Sequence, residues 1–289
     1  MSTVVVTGAS AFIGREVLGA LADSPFDVIA VCRRPPAATG GRVRWQELDL
    51  MDPAAVRRFF STTEPTHLMH LAWCAGSPSY RDDPDNRAWA RASASLAHDF
   101  YEHGGQRSVF AGTSAEYQAP ETRSLYAQSK IAAAAAMSAH AGSRGRRFAW
   151  GRIFLPYGPH DAPHRLVPSV IDALLAGRTA RCSPGQQVRD FIHVGDVASA
   201  LVTLLRSERD GPVDVGTGQG ATIRDVAQEL ARLLAHPELV RFDGAPPDAS
   251  EPSSMIADAS ALRELGWQPR ALEVGLAETI AWHRARSVA

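Results

Sequence analysis

The chain has 289 residues, of which 45% are hydrophobic and 21% charged, and its formal net charge is −1. This length suits one large domain or two smaller ones, and the balanced charge excludes a global basic field for nucleic acid or an anionic membrane. The start MSTVVVTG lacks a basic segment and a cleavage site, and no apolar run is long enough to span a membrane, so we predict a cytoplasmic protein.

Short strands alternate with helices along the first half of the chain. The predicted strands are 3–6, 27–31, 43–48, 67–72, 108–112 and 147–154. The predicted helices are 12–22, 53–60, about 85–103 and about 123–141. Nearly continuous apolar strands separated by amphipathic helices indicate a parallel sheet covered on both faces. We therefore predict an α/β fold with a doubly wound (Rossmann) parallel sheet.

The second half is richer in proline and glycine and predicts a smaller, mixed α/β substrate-binding domain. Its clearest helix is TIRDVAQELARLL, where Thr222 and Asp225 have the spacing of a capping box. A last packing helix is expected at EVGLAETIAWHRA. We assign 1–155 plus about 186–212 to the dinucleotide-binding domain, and about 156–185 plus 213–289 to the substrate-binding domain.

The first chemical motif is TGASAFIG (7–14), which follows a strand and opens a helix. Small residues there let backbone N–H groups approach a pyrophosphate at the helix N-terminus. The usual middle glycine is Ala11, so a tight turn without a ligand is the alternative. The predicted cofactor contacts in this turn are Gly8, Ser10, Ala11, Phe12, Ile13 and Gly14.

The end of the second strand indicates which dinucleotide is bound. A free ribose 2′-hydroxyl usually meets an acidic residue there, whereas this chain has Cys32, Arg33 and Arg34. Two arginines suit a 2′-phosphate through charge-assisted, forked hydrogen bonds. The pattern favours NADP (NADPH) over NAD, with an exposed basic loop as the alternative.

Lys130 is the only lysine among 30 basic residues, and it lies four residues after Tyr126 in a predicted helix. The two side chains therefore share a helix face. A cation about 4 Å away at an effective dielectric of about 20 contributes roughly 4 kcal/mol, or about 3 pKa units, toward ionising a tyrosine. The same ammonium can donate to cofactor ribose hydroxyls. A chance Tyr-x-x-x-Lys spacing is the alternative.

A hydroxyl is also expected beside the reacting oxygen. FAGTSAEY (110–117) ends the fifth strand, where open parallel sheets place ligands. Thr113 is favoured for this role and Ser114 is its competitor. Either hydroxyl could instead satisfy backbone groups at the strand end.

Several motifs in this order resemble the extended short-chain dehydrogenases/reductases, specifically the NAD-dependent epimerase/dehydratase family acting on nucleotide sugars. They are TGASAFIG, LDLMD (48–52), HLAW (70–73), GTSAEY (112–117), YAQSK (126–130), RIFLPYGP (152–159) and RDFIHVGDVA (189–198). The resemblance implies a catalytic trio of Thr113, Tyr126 and Lys130. It also implies further cofactor contacts at Asp49, Leu50, Leu71, Ala72 and Trp73. The implied contacts to a nucleotide-diphosphate sugar are Cys74, Thr113, Ser114, Phe154, Arg165, Leu166, Val167 and Arg189.

The chain departs from the family at positions that bear on the substrate and the reaction. Leu155 and Trp89 stand where asparagine is usual. Dehydratases of the family have Asp-Glu after the threonine, whereas Ser114 and Ala115 follow here. We predict NADPH-dependent reduction of the 4-keto group of a nucleotide-linked 4-keto-6-deoxyhexose. The alternatives are an NAD(P)-dependent nucleotide-sugar 4-epimerase and a regulatory dinucleotide-binding protein.

No metal is expected, because the three cysteines are scattered and not at metal-ligand spacing. His67, His70 and His193 lie in strand-like runs and are interpreted as core or supporting residues. Trp89, Ala92, Leu96 and Phe100 form a stripe along the 85–103 helix. The resemblance implies that this helix and the 123–141 helix join two copies in a homodimer.

Overall fold

Strands and helices alternate through the first half of the computed structural model, which describes residues 2–36, 43–246 and 251–287. The strands there are β1 (Thr3–Thr7), β2 (Asp27–Cys32), β3 (Val43–Glu47), β4 (His67–His70), β5 (Arg107–Thr113) and β6 (Arg147–Ile153). The helices are α1 (Phe12–Leu21), α2 (Pro53–Thr63), α3 (Asp85–Glu102) and α4 (Leu125–Ser143). These are the six strands and four helices that the sequence pattern predicts.

The second half contains short strands and further helices. They are β7 (Leu155–Tyr157), α5 (Leu166–Leu175), β8 (Ala180–Arg181), β9 (Val188–Arg189), β10 (Phe191–His193), α6 (Val194–Arg206), β11 (Gly211–Val215), β12 (Ala221–Thr222), α7 (Ile223–Leu234), β13 (Val240–Arg241), β14 (Ser254–Met255), α8 (Ser260–Glu264) and α9 (Leu272–Ser287). The capping box at α7 is present, since Thr222 Oγ1 accepts from the Asp225 N–H and the Asp225 carboxylate accepts from the Thr222 N–H. The described part of the chain has no helix that is both long and apolar enough to cross a membrane.

The central sheet has seven strands in the order β11-β6-β5-β4-β1-β2-β3. Strands β1 to β6 pair in parallel, with Val5 of β1 opposite Ile29 of β2 and Leu68 of β4. The predicted doubly wound parallel fold is therefore confirmed. The strand order reverses between β1 and β4, and ligands of open parallel sheets bind at the carboxyl ends of the strands at such a point.

Two of the four residues in the predicted stripe on α3 pack in the core of the first unit. Leu96 is 1% exposed and Phe100 is 0% exposed, and both belong to the core cluster that also contains Leu68 and Phe110. The interpretation of this stripe as a contact between two copies is therefore wrong for Leu96 and Phe100. An amphipathic pattern shows which helix face is apolar, but not what covers that face.

Contacts divide the chain into two compact units. The first contains Met1–Ile153 and Ala198–Val213, and the second contains Phe154–Val197 and Asp214–Ala289. The predicted boundary at about 186 differs from this division, in which residues 186–197 go with the second unit. The second unit has its own core, which includes Ile171 of α5, Leu230 of α7 and Leu276 of α9.

Candidate active site

The turn between β1 and α1 forms a tight cradle of backbone. Gly8 has φ +68°, and a Cβ there would lie 2.8 Å from the Ala72 backbone nitrogen. A Cβ on Gly14 would lie 2.2 Å from the Gly8 carbonyl oxygen, so both positions need glycine. Ala11 precedes α1 and its side chain makes no cap, which leaves the first helical N–H groups to a ligand. This geometry fits the pyrophosphate of a dinucleotide; Ser10 lies in the same turn, and Phe12 and Ile13 begin α1.

The other predicted cofactor residues follow neighbouring strands of the same sheet. Leu71 and Ala72 come directly after β4, and the Leu71 N–H donates to the Thr7 carbonyl at 3.3 Å. Arg33 and Arg34 follow β2 with exposed side chains, while residues 37–42, further along that loop, lie outside the described part. After β3, Asp49 is exposed and Leu50 is buried. The structure thus brings these residues to the carboxyl edge of one parallel sheet.

Tyr126 and Lys130 lie near the start of α4, which begins at a serine cap. Ser124 Oγ accepts from the Ala127 N–H at 3.3 Å, and the Tyr126 N–H donates to the Arg81 carbonyl at 2.8 Å. The Lys130 ammonium lies 5.8 Å from the centre of the Tyr126 ring and donates to the Ala111 carbonyl on β5 at 2.7 Å. This bond ties the helix face that carries both residues to the strand that ends at Thr113.

Burial changes the electrostatics assumed for Lys130. The side chain is only 4% exposed, and burial lowers the pKa of its amine from 10.5 to about 7, while the negative charge of Glu116 opposes that shift. A contribution of about 3 pKa units toward ionising Tyr126 requires Lys130 to carry its charge. In the folded chain its charge is instead conditional on pH and on the groups around it.

Thr113 lies at the end of β5, where it caps a short 3-10 turn at Ser114–Tyr117. Its Oγ1 accepts from the Ala115 N–H at 3.2 Å, and Glu116 Oε1 accepts from the Thr113 N–H at 3.0 Å. The hydroxyl hydrogen of Thr113 takes no part in either bond. Ser114 is the first residue of the turn and is half-buried, so the structure leaves both hydroxyls as candidates.

Glu116 is a buried carboxylate that the sequence analysis missed. It is 8% exposed, and it accepts from Trp150 Nε1 at 2.8 Å and from Arg152 Nε at 3.1 Å. Together with the Thr113 N–H, these donors engage both carboxylate oxygens. The spacing Thr-x-x-Glu at 113–116 is a capping-box signature and could have identified it.

Trp73 and Cys74 follow β4 on the same edge. Cys74 is exposed, and the three cysteines are free thiols. Trp73 is half-buried and donates from Nε1 to Asn86 Oδ1 at 2.8 Å. Asn86, which the sequence analysis also missed, is 2% exposed. Its amide donates to the carbonyls of Tyr80 and Asp83 in the preceding loop, and no local sequence pattern predicts these contacts.

His70 supports the turn between β1 and α1 as a neutral residue. Its Nδ1 lies 2.7 Å from Thr7 Oγ1, and its Nε2 lies 2.9 Å from Ser93 Oγ. Burial, with a smaller contribution from the Lys130 charge, lowers the pKa of His70 to about 3. Within the described ranges, no group of three or more His, Cys, Asp or Glu residues could hold a metal ion.

A cavity of about 730 Å³ lies in the same unit, but at the opposite edge of the sheet. Its lining includes His67 and Arg107, at the amino ends of β4 and β5. Arg107 is paired there with Asp210 at 2.5 Å and donates to the Leu204 carbonyl at 2.7 Å. This cavity therefore lies away from the edge that carries the predicted chemistry.

The remaining predicted substrate residues belong to the second unit. The buried Phe154 donates its N–H to the Val215 carbonyl at 3.0 Å, and Arg165 and the half-buried Leu166 stand at the start of α5, which has no side-chain cap. Val167 is 2% exposed and packs in the core of this unit, so only its backbone could meet a ligand.

Arg189 already has protein partners. Its guanidinium lies 3.2 Å from the Glu251 carboxylate and donates to the Pro252 carbonyl at 2.8 Å. Its side chain is 12% exposed. A diphosphate at this residue would therefore compete with an internal ion pair.

Comparisons with known proteins agree with this architecture. The model of the NAD dependent epimerase/dehydratase family matches residues 4–216. GDP-L-fucose synthase 1 of Arabidopsis thaliana is 29% identical, over 82% of this chain and 82% of that protein. The dTDP-4-dehydro-6-deoxy-D-allose reductase of Streptomyces bikiniensis is 27% identical, over 98% of this chain and 96% of that protein. The solved structure of Thermus thermophilus UDP-glucose 4-epimerase in complex with NAD has 28% identity and a TM-score of 0.83, covering 98% and 99% of the two chains.

Proposed function

The chain belongs to the NAD-dependent epimerase/dehydratase family, and on that premise we propose that it reduces the 4-keto group of a nucleotide-linked 4-keto-6-deoxyhexose with NADPH. The main support is the hydrogen bonding of Glu116, whose carboxylate accepts from the Thr113 N–H. Both Glu116 oxygens are already engaged, by Arg152, Trp150 and a backbone N–H, and the two residues directly after Thr113, Ser114 and Ala115, carry no carboxyl group to expel a hydroxyl. This arrangement supports reduction rather than dehydration.

The proton chemistry is assigned to side chains around α4 and the end of β5. NADPH supplies the hydride when it is bound. Tyr126 donates its phenolic proton to the ketone oxygen, which becomes the hydroxyl of the product. The hydroxyl of Thr113, or of Ser114, donates a hydrogen bond to that oxygen and holds it in place. The Lys130 ammonium, 5.8 Å from the Tyr126 ring centre, stabilises the phenolate left behind.

The preference for NADPH is supported by the end of β2. Arg33 and Arg34 are exposed there, as a 2′-phosphate requires, and no acidic residue stands directly after Cys32 to meet a free 2′-hydroxyl. Gly8, Gly14 and the uncapped start of α1 would hold the pyrophosphate. We assign the adenine side to Asp49 and Leu50, and the nicotinamide side to Leu71, Ala72 and Trp73.

The relatives support a nucleotide-sugar substrate. One is named as a reductase of a dTDP-4-dehydro-6-deoxy sugar, which is the class of ketone proposed here. We extend this substrate class to the present chain, with Phe154, Arg165, Leu166 and Arg189 and the Val167 backbone as proposed contacts of the second unit. We also propose a homodimer through α3 and α4, which rests on the family resemblance rather than on the buried α3 stripe.

One direct experiment tests the reaction. Purified protein is mixed with NADPH and a panel of 4-keto-6-deoxy nucleotide sugars that differ in base and sugar, and loss of NADPH absorbance is followed. At least one member of the panel should be reduced, and NADH should be used less well. Accumulation of a 4-keto product from an intact nucleotide hexose would contradict the proposed reaction class.

The alternative is a 4-epimerase, which the 28% identity to a UDP-glucose 4-epimerase favours. An epimerase regenerates its cofactor within each turnover and keeps it bound, whereas a reductase must exchange it. Denaturing the purified protein and measuring the released dinucleotide separates the two. Stoichiometric NAD, with interconversion of intact nucleotide hexoses, would replace the reductase proposal.

A further inference from the structure

The Lys130 ammonium lies against the face of an indole ring. Its Nζ is 3.9 Å from the centre of the Trp73 ring, compared with 5.8 Å from the rings of Tyr126 and Trp150. One N–H donates to the Ala111 carbonyl, and the described residues provide no second hydrogen-bond acceptor for this amine. A buried cation over a tryptophan face is attracted by the negative face of the ring.

Because Trp73 lies in the irregular segment after β4, no regular secondary structure fixes the orientation of its ring. Asn86, at the start of α3, holds the ring by accepting from the indole Nε1–H at 2.8 Å. The Asn86 amide nitrogen donates to the Tyr80 carbonyl at 2.7 Å and to the Asp83 carbonyl at 2.9 Å. Carbonyls only accept and the indole N–H only donates, so these three bonds fix the orientation of the amide.

The same turn also contacts the start of α4. The Arg81 carbonyl accepts from the Tyr126 N–H at 2.8 Å, and the ring of Tyr80 packs edge-on against the Tyr126 ring, 5.0 Å between centres. The Trp73 ring meets the Tyr126 ring edge-on at 6.1 Å. Asn86 therefore links the indole over Lys130 with the backbone that fixes Tyr126.

We propose that Trp73 and Asn86 are a positioning pair, in which Asn86 fixes the indole and the indole face holds the Lys130 ammonium charged and in place beside Tyr126. The described hydrogen bonds of Asn86 go to Trp73 and to the Tyr80 and Asp83 carbonyls rather than to Tyr126 or Lys130, so Asn86 acts through Trp73. The inference rests on the proposed function only in treating Lys130 and Tyr126 as catalytic.

Among the described residues, three other charged or titratable groups lie around Lys130 and keep their own side chains when Trp73 is replaced, although Tyr126 loses its edge-on contact with the indole. Glu116, from the turn after β5, favours the ammonium. His70 on β4 is neutral at physiological pH, because burial and the Lys130 charge lower its pKa to about 3. Tyr126 lies on α4, the helix that also carries Lys130. A change in the ionisation of Lys130 on replacing Trp73 therefore reports the loss of the indole face.

Because Lys130 is the only lysine, protein labelled with ¹³C at lysine Cε gives one side-chain NMR signal when any affinity tag is free of lysine. Its pH titration reads the Lys130 pKa without cofactor or substrate. Trp73→Leu keeps an apolar side chain but removes the aromatic face, and should lower that pKa by about one unit. The ring-current shift of the Lys130 protons should also disappear. Asn86→Ala should produce a smaller change in the same direction.

Trp89→Leu is the matched control. Trp89 stacks beside Trp73 at 6.3 Å between ring centres, but the described contacts do not place it over Lys130, so its loss should leave the Lys130 signal unchanged. Trp73→Phe keeps a weaker aromatic face and should give an intermediate pKa, and it decides the matter if Trp73→Leu does not fold. An unchanged or raised Lys130 pKa in the folded Trp73 variants overturns the proposal. A protein that shows the predicted titration but reduces no keto sugar refutes the proposed function alone.

Discussion

Replacing Lys130 with methionine tests whether burial of this amine lowers the free energy of unfolding. Lys130 is 4% exposed, and its pKa falls from 10.5 to about 7 on burial. Between these two values the unfolded chain binds a proton at this residue and the folded chain does not. The free energy of unfolding should therefore rise with pH, by about 1.4 kcal/mol per pH unit across the window.

The sign of the effect follows from the depressed pKa. Below pH about 7 both states carry the ammonium, and the cost of burying the charge is fully present. Above pH about 10.5 neither state carries it, and the cost is gone. Lys130→Met lacks the group and should be more stable than the unmutated chain at low pH. That advantage should decrease as pH rises, by on the order of 5 kcal/mol over the window.

Urea unfolding of both proteins without cofactor, followed by tryptophan fluorescence at several pH values from about 6 to about 10, measures the difference directly. Arg33→Met, which removes an exposed positive charge, is the control and should add no pH-dependent difference. Parallel stability curves for Lys130→Met and the unmutated chain would refute the reasoning, because the amine would then ionise alike in both states.

Further outcomes are expected from substitutions around the site. Lys130→Arg should weaken NADPH binding and lower turnover, since a planar fork cannot occupy the position of a compact ammonium; normal turnover would contradict this role. Tyr126→Phe should lower turnover about 10²–10⁴-fold while still binding NADPH, as fluorescence titration would show. Replacing Arg33 and Arg34 with alanine should weaken NADPH binding much more than NADH binding, and equal affinities of the unmutated protein for both cofactors would oppose the assignment. Glu116→Gln should lower the Lys130 pKa further. In a pH–rate profile, the loss of activity with rising pH should therefore begin at a lower pH than in the unmutated protein. Light scattering at micromolar concentration should give a dimer, and a monomer would refute that proposal.

The sheet was predictable because its strands are buried on both faces. Val4, Val5 and Val6 of β1 are all 0% exposed, and such runs stand out as continuous apolar segments between amphipathic helices. The helix face shared by Tyr126 and Lys130 was predictable from their spacing alone. The unusual composition, with one lysine among the basic residues, is a second reason to place the candidate chemistry on this helix.

The supporting contacts were not predictable, because they join segments that are distant in the sequence. Asn86 meets Trp73 across 13 residues, and Glu116 meets Trp150 across 34. The depressed pKa of Lys130 likewise depends on burial, which the Tyr-x-x-x-Lys spacing does not encode. The burial of Val167 was not predictable either. The family resemblance points to the start of α5 as a substrate contact, but the Val167 side chain packs in the core of the second unit.

Transfer of deuterium from the cofactor to the sugar is the most direct measure of the proposed reaction. NADPH carrying deuterium at nicotinamide C4 is incubated with the 4-keto-6-deoxy nucleotide sugar that the panel identifies, and the product is examined by NMR. The unmutated protein should place one deuterium at C4 of the sugar for each NADPH consumed, and Tyr126→Phe should form this product far more slowly. Absence of label at C4, or an epimerised product formed without consumption of NADPH, would contradict reduction as the function of this site.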